Sequence, residues 1–255
     1  MSDPLAPQIP SPAPVAPESG GGFFQNLIDV YFSPRDAFTR ILKRPSFWVP
    51  ALLYFVVTLV GTAVWMRNVD PAEFTKVQME EFGGRRVEQM PAEARQQAID
   101  AQVRFFAPSR WGRTIVGTPV GLLITAAVLL FVFRFFYAGD TTLRQALTIV
   151  AWSLLAVELL MTPLRLLIMR LKGDWNIEPQ LAIQASPGAF VDPSTAKWIW
   201  GLLSIPDVFS LWLVFLLATG FAVASRRSTA SALWGVAIPW LLLALVGVGV
   251  MALFM

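Results

Sequence analysis

Five long stretches of this sequence carry almost no charge, and this feature restricts the chain more than any other. An α-helix needs about 20 residues to cross a hydrocarbon core about 30 Å thick, because it rises about 1.5 Å per residue. Each stretch is close to that length or longer, so the sequence predicts an all-α, polytopic bundle of five transmembrane helices. The predicted spans are Trp48–Met66, 115–136, 143–168, 207–225 and 231–254.

The composition agrees with a membrane protein and excludes many chemistries. Hydrophobic residues make up 55% of the 255 residues and charged residues 15%, with a mean hydropathy of +0.58. The chain has no cysteine and no histidine, so thiolate nucleophiles, Ser/His dyads, haem held by histidine and most soft-metal sites are excluded. Only carboxylate chemistry or no chemistry is left, and we expect no cofactor or metal.

Residues 1–22 contain six prolines and end in three glycines. Such a segment cannot bury a core, and we expect it to be a disordered cytoplasmic tail ahead of a membrane domain over residues 23–255. It lacks the basic start and the apolar stretch of a secretory leader.

A short amphipathic helix is predicted ahead of the first span. Ser33, Pro34 and Asp36 form a helix-start pattern, with a capping hydroxyl, a proline in the first turn and an acid three residues after the cap. Its apolar side suits either the surface of an anionic lipid leaflet or the protein's own bundle, and the sequence leaves both open. The candidate lipid-contact residues are the cations Arg35, Arg40, Lys43 and Arg44.

Two connections between the spans are long. Residues 67–114 are highly charged and contain a helical pattern after Pro91, so we expect a small extracytoplasmic helical cap. Residues 172–205 are rich in Pro, Gly and Asp, and we expect an irregular loop. Tryptophans near the predicted span ends are typical of headgroup anchors. They are Trp48, Trp65, Trp111, Trp198, Trp200 and Trp234.

The cation counts of the two sides are nearly equal, so charge alone leaves the orientation undecided. The basic amphipathic helix suits a cytoplasmic leaflet, and no segment is present to export the tail. We therefore expect the amino terminus in the cytoplasm and the carboxyl terminus outside. The excess of Arg over Lys, with abundant Ala, is typical of a GC-rich bacterial source, which predicts a bacterial cytoplasmic (inner) membrane.

Glu158 is the one formal charge well inside a predicted span. A charge at the centre of a bilayer costs about 2.5 to 3.5 kcal/mol on insertion scales, so Glu158 must face protein. Arg165 follows seven residues later on the same side of the helix, and Arg134 closes the preceding span, so either can pair with it. The two interpretations are a structural contact and an ion or proton relay.

Helix capping explains the Ser204 to Asp207 segment, which repeats the pattern at Ser33. Two small-residue pairs allow close helix contact. They are Gly117 with Gly121, and Gly220 with Ala224.

Several segments together resemble the Yip1 domain family in its bacterial version. They are FSPRDAF at 32–38, a first span that opens with Trp48 and Pro50, GDTTLRQAL at 139–147, and DVFSLW at 207–212. One departure is that Trp152 and Ser153 follow the third segment, where the family tends to show Tyr and then Pro. The resemblance covers about residues 23–255 and implies a cytosolic amino terminus, five spans and no catalysis. Eukaryotic relatives act in vesicle trafficking with Rab GTPases and as membrane-shaping scaffolds.

Three functional hypotheses follow. The first is a non-enzymatic membrane scaffold that contacts lipids and other membrane proteins, with self-association left open and no nucleic-acid partner. The second is a subunit of a transporter or channel that uses Glu158. The third is an intramembrane enzyme with two carboxylates about 5 to 10 Å apart, for which Glu158 and Asp207 are the candidates.

Overall fold

The computed structural model describes residues 22–82, 87, 89–183, 185–191 and 197–253. These residues form helices joined by turns and loops, without a β-strand. The predicted disordered tail lies outside the described residues, apart from Gly22. The helices are α1 (Phe23–Phe32), α2 (Pro34–Ile41), α3 (Trp48–Met66), α4 (Pro71–Phe82), α5 (Ala92–Gly112), α6 (Thr118–Phe135), α7 (Leu143–Lys172), α8 (Lys197–Ser204), α9 (Val208–Ser225) and α10 (Thr229–Leu253).

Five helical runs of the described chain are long and apolar enough to cross a membrane. They are α3, the continuous run of α5 and α6, α7, α9 and α10. The predicted all-α, five-span architecture is confirmed, and the span boundaries differ from the prediction by a few residues at most places. This agreement is expected because hydropathy over a helix length is a local property of the sequence.

The polar helix before the second span is not a separate cap. A π-helical turn over Arg113–Gly117 joins α5 directly to α6, so one helical run extends for 44 residues from Ala92 to Phe135. The segment predicted as a helical cap, residues 67–114, thus contains α4 and α5, and the second of these continues into the span. A change in polarity does not end a helix, because the backbone hydrogen bonds continue within it whatever the side chains are.

The central helix of the bundle is α7, which packs against α1, α3, α6 and α9. In its most apolar window 61% of the residues are buried, against 11% in α3 and in α10. At Gly220 of α9, an added Cβ would overlap the Ile149 side chain of α7, so this glycine allows the two helices to approach closely. An added Cβ at Gly121 of α6 would meet nothing within 4 Å.

The amino-terminal platform, residues 23–44, lies beside the first half of α7 and against α9. Ala37, Phe38 and Ile41 of α2 are buried in the main core, so the apolar side of α2 packs on the protein's own bundle. In α1, the Tyr31 hydroxyl donates a 2.6 Å hydrogen bond to the Ala156 carbonyl of α7. Burial raises the pKa of Tyr31, so the phenol keeps the proton that this bond uses.

Of the two predicted helix-start patterns, only the one at Asp207 forms a side-chain cap. Asp207 caps α9, accepting hydrogen bonds from the Phe209 and Ser210 backbone amides at 3.0 and 3.2 Å. Ser33 precedes α2 as predicted, but its side chain makes no capping hydrogen bond. The 172–205 connection is more ordered than predicted, since it contains 3-10 turns at Pro179–Leu181 and Pro187–Phe190 and ends in α8.

Candidate functional site

A cavity of about 460 Å³, lined by charged and polar side chains, lies beside the second half of α7, whereas the amino-terminal platform lies beside the first half. Its walls come from α3 between Tyr54 and Trp65, the π-helical turn with the adjoining ends of α5 and α6, the second half of α7, and the Glu178 loop. Three arginines and two glutamates line it together with several hydroxyl groups. The hydroxyl residues are Tyr54, Thr58, Thr62, Thr114, Thr118 and Thr162.

Glu158 lies in this cavity with its partners on the same face of α7. The Thr162 hydroxyl donates a 2.5 Å hydrogen bond to Glu158 Oε1, and Arg165 Nη1 lies 3.2 Å from the same oxygen. Spacings of four and seven residues put the three side chains above one another on the helix. Arg134 is exposed in the last turn of α6, away from the cavity, so the structure pairs Glu158 with Arg165 and not with Arg134.

A second acid, Glu178, enters the cavity from the loop after α7. Arg110 of α5 binds both of its carboxylate oxygens, with Nη2–Oε2 and Nη1–Oε1 distances of 2.9 and 3.0 Å. Arg113 approaches Glu178 Oε1 at 3.7 Å. The Glu158–Asp207 pair considered from the sequence does not form, because Asp207 is occupied as the cap of α9 while Glu178 shares the cavity with Glu158.

Three aromatic rings surround the Arg110 guanidinium. Its central carbon lies 5.3, 5.0 and 5.6 Å from the ring centroids of Trp65, Phe74 and Phe106. The negative faces of aromatic rings attract a cation at such distances. Trp65 is buried, with its indole N–H donating to the Trp175 carbonyl at 3.0 Å, so its ring contacts protein on all sides.

The cavity wall contains the π-helical turn. π-Helical turns are rare and occur frequently at functional sites. Within this turn Thr114 is buried, and its hydroxyl lies 2.9 Å from the Thr62 hydroxyl of α3. A Cβ at Gly61 would lie 2.7 Å from Thr162 Cγ2, so the absent side chain lets α3 approach α7 at the cavity. The turn and the glycine thus bring hydroxyl groups from three helices together.

The described residues contain no group of three or more Asp or Glu side chains arranged to hold a metal ion. The two cavity acids are each bonded to an arginine instead. Arg110 and Arg165 compensate the two carboxylates, Arg113 is a third cation, and hydroxyl groups lie around them.

Of the four predicted lipid-contact cations, one forms an ion pair within the protein and three are exposed. Arg40 forms an ion pair with Asp29 and a 3.4 Å hydrogen bond to the Asn26 side chain, so it joins α2 to α1. Arg35 is exposed and donates to the Thr229 hydroxyl at 3.2 Å. Lys43 and Arg44 are also exposed at this end of the bundle.

A family model described as the Yip1 domain matches residues 28–251, nearly the whole chain. The chain belongs to the Yip1 domain family. No curated protein and no solved structure matches it significantly. The matched region of this Yip1-domain protein begins within α1 and ends within α10, so it includes most of the amino-terminal platform, all five spans and the cavity. It is an integral membrane protein of the Yip1 type.

Sequence reasoning missed Glu178, Arg110 and Arg113. One local signal was available, because two arginines three residues apart share a helix face directly before an apolar span. No pattern around Glu178 points to either of them, since it lies 68 residues from Arg110 in an irregular segment.

Proposed function

We propose that this Yip1-domain protein is a non-enzymatic, membrane-organising scaffold in a bacterial cytoplasmic membrane. Its amino terminus is cytoplasmic and its carboxyl terminus is outside. It contacts anionic lipid and other membrane proteins through the amino-terminal platform.

The observation that carries this proposal is the two-faced character of α1. One face is anchored to the bundle through Val30, which is fully buried, and through the Tyr31 hydrogen bond to α7. The opposite face is a row of large apolar side chains spaced four residues apart, Phe24, Ile28 and Phe32, which are 77%, 56% and 83% exposed. A helix held at the end of a bundle with such a row outward is suited to lie in the membrane interface.

The cations of α2 support the same role. Because its apolar side is used for packing on α9, the outward side of α2 carries Arg35 and the following turn carries Lys43 and Arg44. Each cation near an anionic leaflet contributes about 1 kcal/mol of attraction. The platform thus offers lipid an apolar row and positive charge side by side.

The absence of enzymatic activity is part of the proposal. The chain has no histidine or cysteine, and the two acids of the cavity are bonded to arginines. We expect no cofactor and no nucleic-acid partner, and lipids and membrane proteins as the partners.

Site-specific photo-crosslinking in native membranes tests the scaffold role. A benzophenone amino acid is placed at Phe24, Ile28 or Phe32, and at Leu242, a 58% exposed position of α10, as the matched control. We expect discrete protein adducts together with lipid adducts from the α1 row, and lipid adducts alone from Leu242. Lipid adducts alone from every position of the row would contradict the scaffold role.

A subunit of a transporter or channel is the second candidate, and the polar cavity favours it. Intramembrane ionisable residues often mark substrate or ion pathways. The hydroxyl groups around Glu158 also provide more polar lining than the isolated span sequences suggest. Substitution of Glu158 separates the two candidates, as described in the Discussion.

A further inference from the structure

The arginines of the cavity outnumber its carboxylates. Glu158 is paired with Arg165, and Glu178 is bound through both oxygens by Arg110. Arg113 is the third arginine, and among the residues that the structure describes no further acid lines the cavity. Its approach to Glu178, at 3.7 Å, is to an oxygen that Arg110 already uses. The cavity as a whole therefore carries one uncompensated positive charge.

Arg113 is also the cavity arginine whose donors are most available. Its side chain is 66% exposed, whereas those of Arg110 and Arg165 are 20% exposed. A guanidinium presents five N–H donors in a planar fork that matches two oxygens of a phosphate group. Thr114 and Thr118 line the same wall and add hydroxyl groups beside it.

The position of Arg113 along the helix points to the level of the lipid headgroups. It lies where the polar helix α5 becomes the apolar span, directly after Trp111 and Gly112. Ile115 and Val116, the next residues of the turn, are 50% and 60% exposed, as expected of side chains that face acyl chains. Tryptophan is enriched at this boundary, and arginine side chains near the end of a span extend toward it, where the phosphate groups of lipids lie.

The size of the cavity constrains the ligand further. A volume of about 460 Å³ falls within the range of about 300 to 1,000 Å³ that is typical of small-molecule sites and exceeds what a bare phosphate ion requires. The space suits a phosphate with an organic substituent such as a glycerol unit.

We infer that the cavity binds the phosphate group of a phosphate ester, with Arg113 as the principal cation and the wall hydroxyls as additional donors. The ester is the headgroup of a phospholipid or a soluble phosphate ester. The inference does not depend on the proposed scaffold role, because none of the residues that line the cavity belongs to the amino-terminal platform.

Native mass spectrometry of the full-length protein in mild detergent tests this inference. The probes are dioleoyl-phosphatidylglycerol, sn-glycerol 3-phosphate and, as the phosphate-free control, dioleoylglycerol. We expect one molecule of phosphatidylglycerol to bind saturably. Arg113→Gln should raise the Kd of this binding at least about tenfold. Arg134→Gln removes an exposed arginine from the other end of the same span and should leave this binding unchanged.

The binding results distinguish a phospholipid headgroup from a soluble phosphate ester as the source of the phosphate group. Arg113-dependent binding of phosphatidylglycerol supports a lipid headgroup, and Arg113-dependent binding of glycerol 3-phosphate alone supports a soluble ester. Equal weakening by the Arg113 and Arg134 substitutions, or binding of dioleoylglycerol as tight as that of phosphatidylglycerol, would overturn the inference. Thr118→Phe places a bulky ring on the cavity wall and retains Arg113, so it should weaken the same binding even if Arg113→Gln proves unstable. Wild-type affinity in a folded Thr118→Phe protein would also overturn it.

Discussion

Arg110 and Glu178 are 68 residues apart in the sequence and are joined by two short contacts of 2.9 and 3.0 Å. The same guanidinium lies over the rings of Trp65, Phe74 and Phe106. One arginine of α5 thus connects α3, α4 and the loop after α7 at one end of the cavity. This pair is the main polar contact between that loop and the long second helix.

We expect Glu178→Gln to lower the free energy of unfolding by about 1 to 3 kcal/mol. The loss follows because Arg110 would keep its largely buried positive charge without a counter-charge. Thermal unfolding in detergent and protease cleavage within residues 173–191 measure the effect. Glu73→Gln is the control, since the Glu73–Lys76 pair is about half exposed at 3.9 Å and should contribute less than about 0.5 kcal/mol. Equal loss in both variants would contradict the role of the Arg110–Glu178 pair.

Under the scaffold proposal, Glu158→Gln should support wild-type function in a strain lacking the gene, because a scaffold does not use the titratable charge. Its loss of stability should be no larger than that of Glu178→Gln, since Arg165 and Arg110 are equally buried and each loses one counter-charge. The glutamine amide keeps an acceptor for the Thr162 hydroxyl without the charge. Glu158→Leu removes the acceptor of both Thr162 and Arg165 and should lower stability more than Glu158→Gln does. Membrane abundance and complementation are the measurements. A Gln variant that is abundant and folded yet inactive would favour the transporter candidate, because transport depends on the titratable charge.

Gly220→Ala should destabilise the bundle by about 1 to 3 kcal/mol, because the added methyl group overlaps Ile149 at the α7–α9 contact. Gly121→Ala makes the same chemical change in a helix where nothing lies within 4 Å. It should be neutral or slightly stabilising, since alanine is the better helix former by about 1 kcal/mol. The melting temperatures of the two variants, each measured in detergent solution, test this difference. A Gly121 variant that melts well below the wild type would indicate that this surface is covered by another molecule.

The orientation can be read with single cysteines, because the natural chain has none. The exposed positions Thr39 and Ser228 should be shielded from an impermeant thiol reagent in intact cells, and Ala92 and Phe190 should be labelled. Labelling all four in permeabilised cells is the control. Labelling of Thr39 in intact cells would reverse the proposed orientation.

Local patterns explain which parts of the structure were predictable. The spans follow from hydropathy over one helix length, and the Asp207 cap follows from the preference of carboxylates for free amides in a first turn. Glu158 and Arg165 were brought together by helix periodicity alone, since both belong to α7. The two interpretations of α2, lipid or bundle, have the same amphipathic pattern, so the sequence did not separate them.

The sequence by itself determined that this is a five-span, all-helical membrane protein, because the cost of placing charges in hydrocarbon limits where the chain can cross. Only the tertiary structure decided that α7 is central and that a charged cavity forms around it. The cavity depends on contacts such as Thr62 with Thr114 and Arg110 with Glu178. The two residues of the first contact are 52 positions apart in the sequence, and those of the second are 68 positions apart. Such contacts are set by how each helix is rotated and how closely its neighbours pack, and no periodicity within a single segment encodes them.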